Sequence, residues 1–93
     1  MLSHQFYPPA FFLAAFAIPL ALLSHADRLG KLLLVSSVLL VLILELVNSA
    51  IEAAVDHTSL DHHPFARRAK DIAGAAVLGS MVNLLIVWGV VLL

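Results

Sequence analysis

The chain has 93 residues, of which 62% are hydrophobic and 12% charged, and its mean hydropathy is +1.06. A soluble chain of this length has too little interior for such a composition, whereas a bilayer accepts it, so the sequence predicts one membrane domain over residues 1–93. A net charge of −1 without a concentrated basic tract argues against nucleic-acid binding, and the absence of cysteine leaves the redox compartment open.

Three membrane spans are predicted in chain order, each near the ~20 residues that a helix needs to cross the hydrocarbon. They cover about residues 8–24, 32–55 and 72–93. All Asp, Glu, Lys and Arg residues lie between Asp27 and Asp71, so both ends of the chain lack charged side chains. The predicted fold class is an all-α membrane protein with three transmembrane helices.

Two short polar connections are predicted between the spans, from Ser24 to Lys31 and from His57 to Asp71. The second contains three of the five basic residues and the first contains the other two. Because cytoplasmic connections carry an excess of Lys and Arg, we expect the second connection and the N-terminus to be cytoplasmic.

Four polar side chains interrupt the second span, and we call them the acidic stripe: Glu45, Asn48, Glu52 and Asp56. At about 100° per residue they fall on an arc of roughly 80°, so they are predicted to share one helix face. Residues 38–44 carry no charged or amide side chain, which places Glu45 in or just below the hydrocarbon. An ionisable side chain there is expensive and by default functional.

The chemistry of the stripe and of the second connection is complementary. Carboxylates with an amide between them can hold Mg²⁺, which usually takes one or two carboxylates together with substrate phosphates. Arg67, Arg68 and Lys70 could meet a polyphosphate at the same membrane surface. Glu45, the deepest carboxylate, could accept the proton of a lipid hydroxyl. These features indicate phosphoryl transfer at a membrane surface, although the chain has no glycine-rich phosphate loop.

Other interpretations of these residues stay open from spacing alone. The stripe can join helices through hydrogen bonds, or belong to a proton or ion path. The three basic residues can be topology anchors that face anionic lipid. A Zn²⁺ site is a further option for a group in the second connection, although adjacent histidines diverge on any regular element. That group is His57, Asp61, His62 and His63.

Polar and small residues also occur in the third span. Asn83 is predicted to make an interhelical hydrogen bond, because an amide in hydrocarbon needs a partner. Small side chains let helix backbones approach closely, so four of them are predicted to be close-packing sites. They are Ala75, Ala76, Gly79 and Ser80.

The stretch ELVNSAIEAAVD, residues 45–56, followed by ARRAKDIAGAAV, residues 66–77, resembles the small integral-membrane diacylglycerol kinases of bacteria, whose relatives also phosphorylate undecaprenol. The pattern E-x-x-N-S-A-I-E-x-x-x-D joined to a downstream R-A-K-D is specific, and the resemblance extends from about Phe11 to the C-terminus. It implies a homotrimer of three-span subunits in the bacterial inner membrane, with MgATP bound at the cytoplasmic surface and active sites between neighbouring subunits. The implied reaction transfers the γ-phosphoryl group of ATP to diacylglycerol and gives phosphatidic acid.

The resemblance implies roles for three residues of the acidic stripe. Glu45 matches the candidate general base for the lipid hydroxyl, and Asn48 matches the amide that orients the site. Glu52 matches the metal-binding glutamate, which would hold Mg²⁺.

Three further residues match positions at the family's nucleotide site. Lys70 matches the lysine that contacts the ATP phosphates, and Asp71 matches a supporting acidic residue. Asp56 matches an acid close to the site. The resemblance gives no role to the histidines of the second connection, where the family has polar residues of varied type.

Two family features have no match in this chain: an amphipathic surface helix and a glutamate near the start of the first span. No acidic residue occurs before Asp27, and Ala73-Gly74 stands where the family tends to have Gly-Ser. We therefore expect the chain as given to have lipid-kinase activity far below that of a complete member. The alternative function is that of a weak or inactive homologue with a structural or regulatory role in the membrane.

Overall fold

The computed structural model of the chain describes residues 9–57 and 64–93. These two ranges form three helices and no strand: α1 at Pro9–Leu23, α2 at Arg28–His57 and α3 at Pro64–Leu92. Both α2 and α3 are long and apolar enough to cross a membrane, and α1 is a shorter apolar helix of 15 residues. The predicted all-α membrane fold is confirmed, whereas the limits of the spans within a bilayer stay predictions.

The polar connections are shorter than the sequence predicts. Asp27 caps α2, because its Oδ1 accepts a hydrogen bond of 2.7 Å from the backbone N–H of Gly30. Pro64 occupies the first helical position of α3, where its fixed φ suits a helix start. The prediction of a connection that continues to Asp71 was wrong in extent, because residues 65–71 form the first turns of α3. Lys70 and Asp71 are therefore held on a helix.

One face of α1 is built from alanine. Its buried residues are Ala10, Ala14, Ala17 and Ala21. Steps of four, three and four residues return to the same helix face, and small side chains there allow α1 to lie close to its neighbour. The innermost cluster comprises Ala14 and Ala17 with Val38, and Ile18, Leu42, Leu84 and Trp88 pack around it. All three helices thus meet at one point.

Trp88 links α3 to α2 by hydrogen bonds as well as packing. Its indole N–H donates to Ser37 Oγ at 3.1 Å and to the Leu34 carbonyl at 3.3 Å. The Ser37 hydroxyl in turn donates to the same carbonyl at 2.8 Å. A partly buried indole N–H usually finds such a partner, and this contact helps to fix how the two helices lie against each other.

The first turn of α2 and the last turn of α3 approach each other at Gly30. A Cβ added at Gly30 would lie 3.0 Å from Ala26 Cβ and 3.1 Å from Val91 Cγ1. Contacts this short are tighter than ordinary van der Waals packing, so the absence of a side chain is what allows the approach.

The predicted close-packing sites on α3 behave differently within the chain. Ser80 is buried, and its hydroxyl donates to the Val77 carbonyl at 2.6 Å. Ala75, Ala76 and Gly79 are exposed within one chain, so close packing at these three stays a prediction. Ser80 and Val77 lie on the face of α3 that turns toward the other helices, whereas the exposed residues lie beside or opposite it.

Candidate functional site

The acidic stripe lies on one uninterrupted helix, as predicted, because all four of its residues are inside α2. Glu45 and Asn48 are half-buried, whereas Glu52 and Asp56 are exposed. Along the axis, Glu45 and Glu52 are separated by two turns, or about 10 Å. The stripe therefore passes from partly enclosed to open surroundings toward the C-terminal end of α2.

Asn48 lies in the wall of a cleft between α2 and α3. Its Oδ1 atom is buried and has no hydrogen-bond partner among the described residues. The cleft has a volume of about 270 Å³, and its other lining side chains are all apolar. They are Leu44, Val47 and Ile51 from α2, and Ala69, Ile72, Ala73 and Ala76 from α3. An amide oxygen in such surroundings suits a donor that arrives on a molecule with apolar tails.

Lys70 bonds to the acidic stripe at its exposed end. Its ammonium nitrogen lies 3.3 Å from Asp56 Oδ1, as both a hydrogen bond and an ion pair. The side chains of Lys70 and Asp56 are 32% and 59% exposed, so solvent reaches the pair. Two of the predicted site residues, one on each helix, are therefore in direct contact.

The remaining charged residues near the start of α3 point to solvent. Arg67, Arg68 and Asp71 are all exposed. The Arg68 guanidinium carbon lies 6.0 Å from the centre of the Phe65 ring, at the outer limit of a cation–π contact. This end of α3 thus presents two arginines and an aspartate beside the Lys70 and Asp56 pair.

The donor set fits an ion that arrives with its phosphates rather than a metal held by the protein alone. The parts of the chain that the structure describes contain no group of three His, Cys, Asp or Glu residues placed to hold a metal. Mg²⁺ keeps several waters and commonly takes only one or two protein carboxylates beside substrate phosphates, and Glu52 can supply one. The option of a Zn²⁺ site at Asp61, His62 and His63 lies outside the described residues, as does the side chain of His57.

Sequence reasoning missed the cleft. The small residues that line the cleft are Ala69, Ala73 and Ala76, and only Ala76 was among those selected from the sequence. These three recur at i, i+4 and i+7, which is the spacing of a single helix face. That spacing was the available signal, but a helix with small residues on several faces gives no local indication of which face meets α2.

Comparison with known proteins agrees with the pattern of the stripe. Residues 8–92 match the family described as prokaryotic diacylglycerol kinase. The chain is 42% identical over 76 residues to a diacylglycerol kinase of Escherichia coli, a match that covers 82% of this chain and 62% of the relative. It is 42% identical over 81 residues to a diacylglycerol kinase of Haemophilus influenzae, covering 87% of this chain and 69% of that protein.

A diacylglycerol kinase of Helicobacter pylori is 43% identical over 77 residues, covering 83% of this chain and 60% of the relative. The family match takes in all three described helices and every residue of the acidic stripe. The chain belongs to the prokaryotic diacylglycerol kinase family. Its match with the Escherichia coli relative extends over somewhat less than two thirds of that protein's length.

Proposed function

We propose that this chain is an ATP-dependent lipid kinase that transfers the γ-phosphoryl group of ATP to diacylglycerol and gives phosphatidic acid. The observation that carries the proposal is the position of Asn48, whose buried Oδ1 atom lacks a partner among the described residues and lines an apolar cleft. A lipid hydroxyl is both a hydrogen-bond donor and the head of an apolar molecule, so it suits both features. Membership of the diacylglycerol kinase family supports the same substrate.

In the proposed reaction, the lipid hydroxyl oxygen attacks the γ-phosphorus, and the bond from that phosphorus to the bridging oxygen of ADP breaks. Glu45 accepts the hydroxyl proton, which makes the oxygen a better nucleophile as the new bond forms. Asn48 Oδ1 accepts a hydrogen bond from the hydroxyl and orients it. Because Glu45 is half-buried, water competes less for its carboxylate than it does at the exposed end of the stripe.

The nucleotide is proposed to lie toward the exposed end of the acidic stripe. Glu52 would hold Mg²⁺ of the MgATP substrate, which neutralises charge on the phosphates. Lys70, Asp71 and Asp56 would contribute to the nucleotide site, with the Lys70 ammonium directed at phosphate oxygens. In this class of reaction, positioning and charge neutralisation supply most of the catalysis.

The proposed assembly is a homotrimer in the bacterial inner membrane. Each subunit would cross the membrane three times. The outer face of α3 supports association, because Asn83 is exposed on an otherwise apolar part of this helix. An exposed amide in hydrocarbon is costly, and a neighbouring subunit can supply its partner. The exposed Ala75 and Gly79 on the same helix would let another helix approach closely.

The proposed orientation places the α2–α3 connection in the cytoplasm, where ATP is available. Two single-cysteine variants test it in this cysteine-free chain. In intact cells, a membrane-impermeant thiol reagent should label His25→Cys, in the first connection, and should leave Ser59→Cys, in the second, unlabelled until the membrane is opened. The reverse labelling pattern would place the α2–α3 connection and the exposed end of the acidic stripe outside the cytoplasm. ATP would then not reach the proposed nucleotide site.

A lipid-kinase assay tests the proposed function. The purified protein is given MgATP with diacylglycerol or with undecaprenol in matched mixed micelles, and the phosphorylated lipid is measured. We expect transfer to diacylglycerol that depends on Mg²⁺. Faster transfer to undecaprenol would show that the proposed reaction is right but that the preferred lipid is undecaprenol. No transfer to either lipid would favour a structural or regulatory homologue.

A further inference from the structure

The Lys70 and Asp56 ion pair joins α2 to α3 next to the connection between them. Asp56 is the penultimate residue of α2, and Lys70 lies in the second turn of α3. The pair could therefore serve to hold the two helices together or to direct the lysine side chain. These roles predict different behaviour, and the geometry of the pair distinguishes them.

The geometry argues against a large role in stability. The two atoms are 3.3 Å apart, which is long for a charge-assisted hydrogen bond. Both side chains are open to solvent, and exposed ion pairs of this kind contribute little to folding. The helices also have a stronger connection elsewhere, at Trp88 and Ser37.

The position of the pair favours a role at the nucleotide site. Asp56 follows Glu52 by one helical turn on the same face, so the carboxylate that binds Lys70 lies about 6 Å along the axis from the proposed Mg²⁺ ligand. A lysine side chain has a flexible four-carbon stem and samples many rotamers when nothing directs it. Its bond to Asp56 restricts the ammonium to the edge of the acidic stripe before any phosphate arrives.

We propose that Asp56 is a positioning residue for MgATP: its carboxylate holds the Lys70 ammonium beside Glu52 in the nucleotide-free protein and releases it to the phosphate oxygens when MgATP binds. The inference rests on the proposed kinase function and specifies how one residue of that site acts. A pair this long and this exposed competes only weakly with a triphosphate for the Lys70 ammonium. Without the pair, the lysine samples its full range of rotamers, and ordering it on binding lowers the affinity for MgATP.

The test is a double-mutant cycle on MgATP affinity, measured by equilibrium binding to the purified protein without lipid substrate. Asp56→Asn should weaken binding several-fold, and Lys70→Gln should weaken it more. Because Asp56 acts through Lys70, Asp56→Asn should cause no further loss when Lys70→Gln is already present. Asp56→Glu keeps the charge and should restore most of the affinity.

Asp27→Asn is the matched control. Asp27 is also an exposed aspartate, but it caps the other end of α2, and asparagine caps a helix equally well. It should leave MgATP affinity unchanged although it removes the same charge.

Equal losses from Asp56→Asn in both lysine backgrounds would overturn the proposal, because Asp56 would then act on its own. Tighter binding by Asp56→Asn would overturn it too, by showing that the pair only competes with the nucleotide. No MgATP binding by the unaltered protein would overturn the proposed function along with it.

Discussion

The two ends of the helical bundle are held by different kinds of contact. At one end, Gly30 lets α2 and α3 touch, and the Trp88 indole donates hydrogen bonds into α2. At the other, an apolar cleft lies between the same helices, and a long, exposed ion pair joins them. At the tightly packed end, the polar groups bond to one another and the helices approach closely. At the end with the cleft, the Asn48 amide oxygen and several charged side chains are available to a ligand. The comparison indicates that one end positions the helices, and the proposed function assigns the chemistry to the other.

Of the substitutions that test this comparison, Glu45→Gln should have the largest effect, on lipid phosphorylation at the end with the acidic stripe. Glutamine keeps the shape of the side chain but cannot accept the hydroxyl proton, so lipid phosphorylation should fall by about 10²- to 10⁴-fold. MgATP affinity should stay close to that of the unaltered protein, because Glu45 lies two turns from Glu52. Measuring both quantities on one preparation decides the point, and a parallel loss of nucleotide binding would contradict the division between base and metal ligand.

The next largest effect should come from closing the space at Gly30. Gly30→Ala places a methyl group about 3 Å from Ala26, Asp27 and Val91, so it should destabilise the protein by about 1–3 kcal/mol. Gly89→Ala is the control on α3, because nothing lies within 4 Å of its added Cβ. Unfolding in detergent mixtures measures both. Equal effects of the two substitutions would mean that the approach at Gly30 is not tight.

Trp88→Phe should have the smallest effect, because it keeps an aromatic ring in the cluster and removes only the donor. We expect a loss of about 1 kcal/mol in the free energy of unfolding. Ser37→Ala removes one of the two acceptors, so the double variant should lose less than the sum of the single effects. Additive losses would show that the indole N–H contributes nothing through Ser37.

The sequence predicts the parts of this protein that depend on local pattern. Long apolar segments indicate α2 and α3, and the 3.6-residue period alone is enough to place the acidic stripe on one helix face. The extent of the second connection was misjudged because Pro64 starts a helix whose first turns are polar. A polar composition alone does not distinguish a loop from the end of a membrane helix.

The contacts between helices could not be predicted in the same way. The choice of Asp56 as the partner of Lys70, the cleft at Asn48 and the approach at Gly30 all depend on how α2 and α3 cross. That crossing is fixed by Trp88 and the alanine face of α1, which lie far along the chain from the stripe. Local periodicity shows that a face exists but not what it meets.

The most direct test of the contrast between the two ends measures MgATP affinity and the free energy of unfolding for Glu52→Gln and Trp88→Phe. We predict that Glu52→Gln weakens Mg²⁺-dependent nucleotide binding and leaves unfolding unchanged, because the side chain is exposed. Trp88→Phe should lower the free energy of unfolding and leave nucleotide binding unchanged. If Glu52→Gln unfolds the protein more easily, or Trp88→Phe weakens MgATP binding as strongly as Glu52→Gln does, the separation of scaffold from chemistry is wrong.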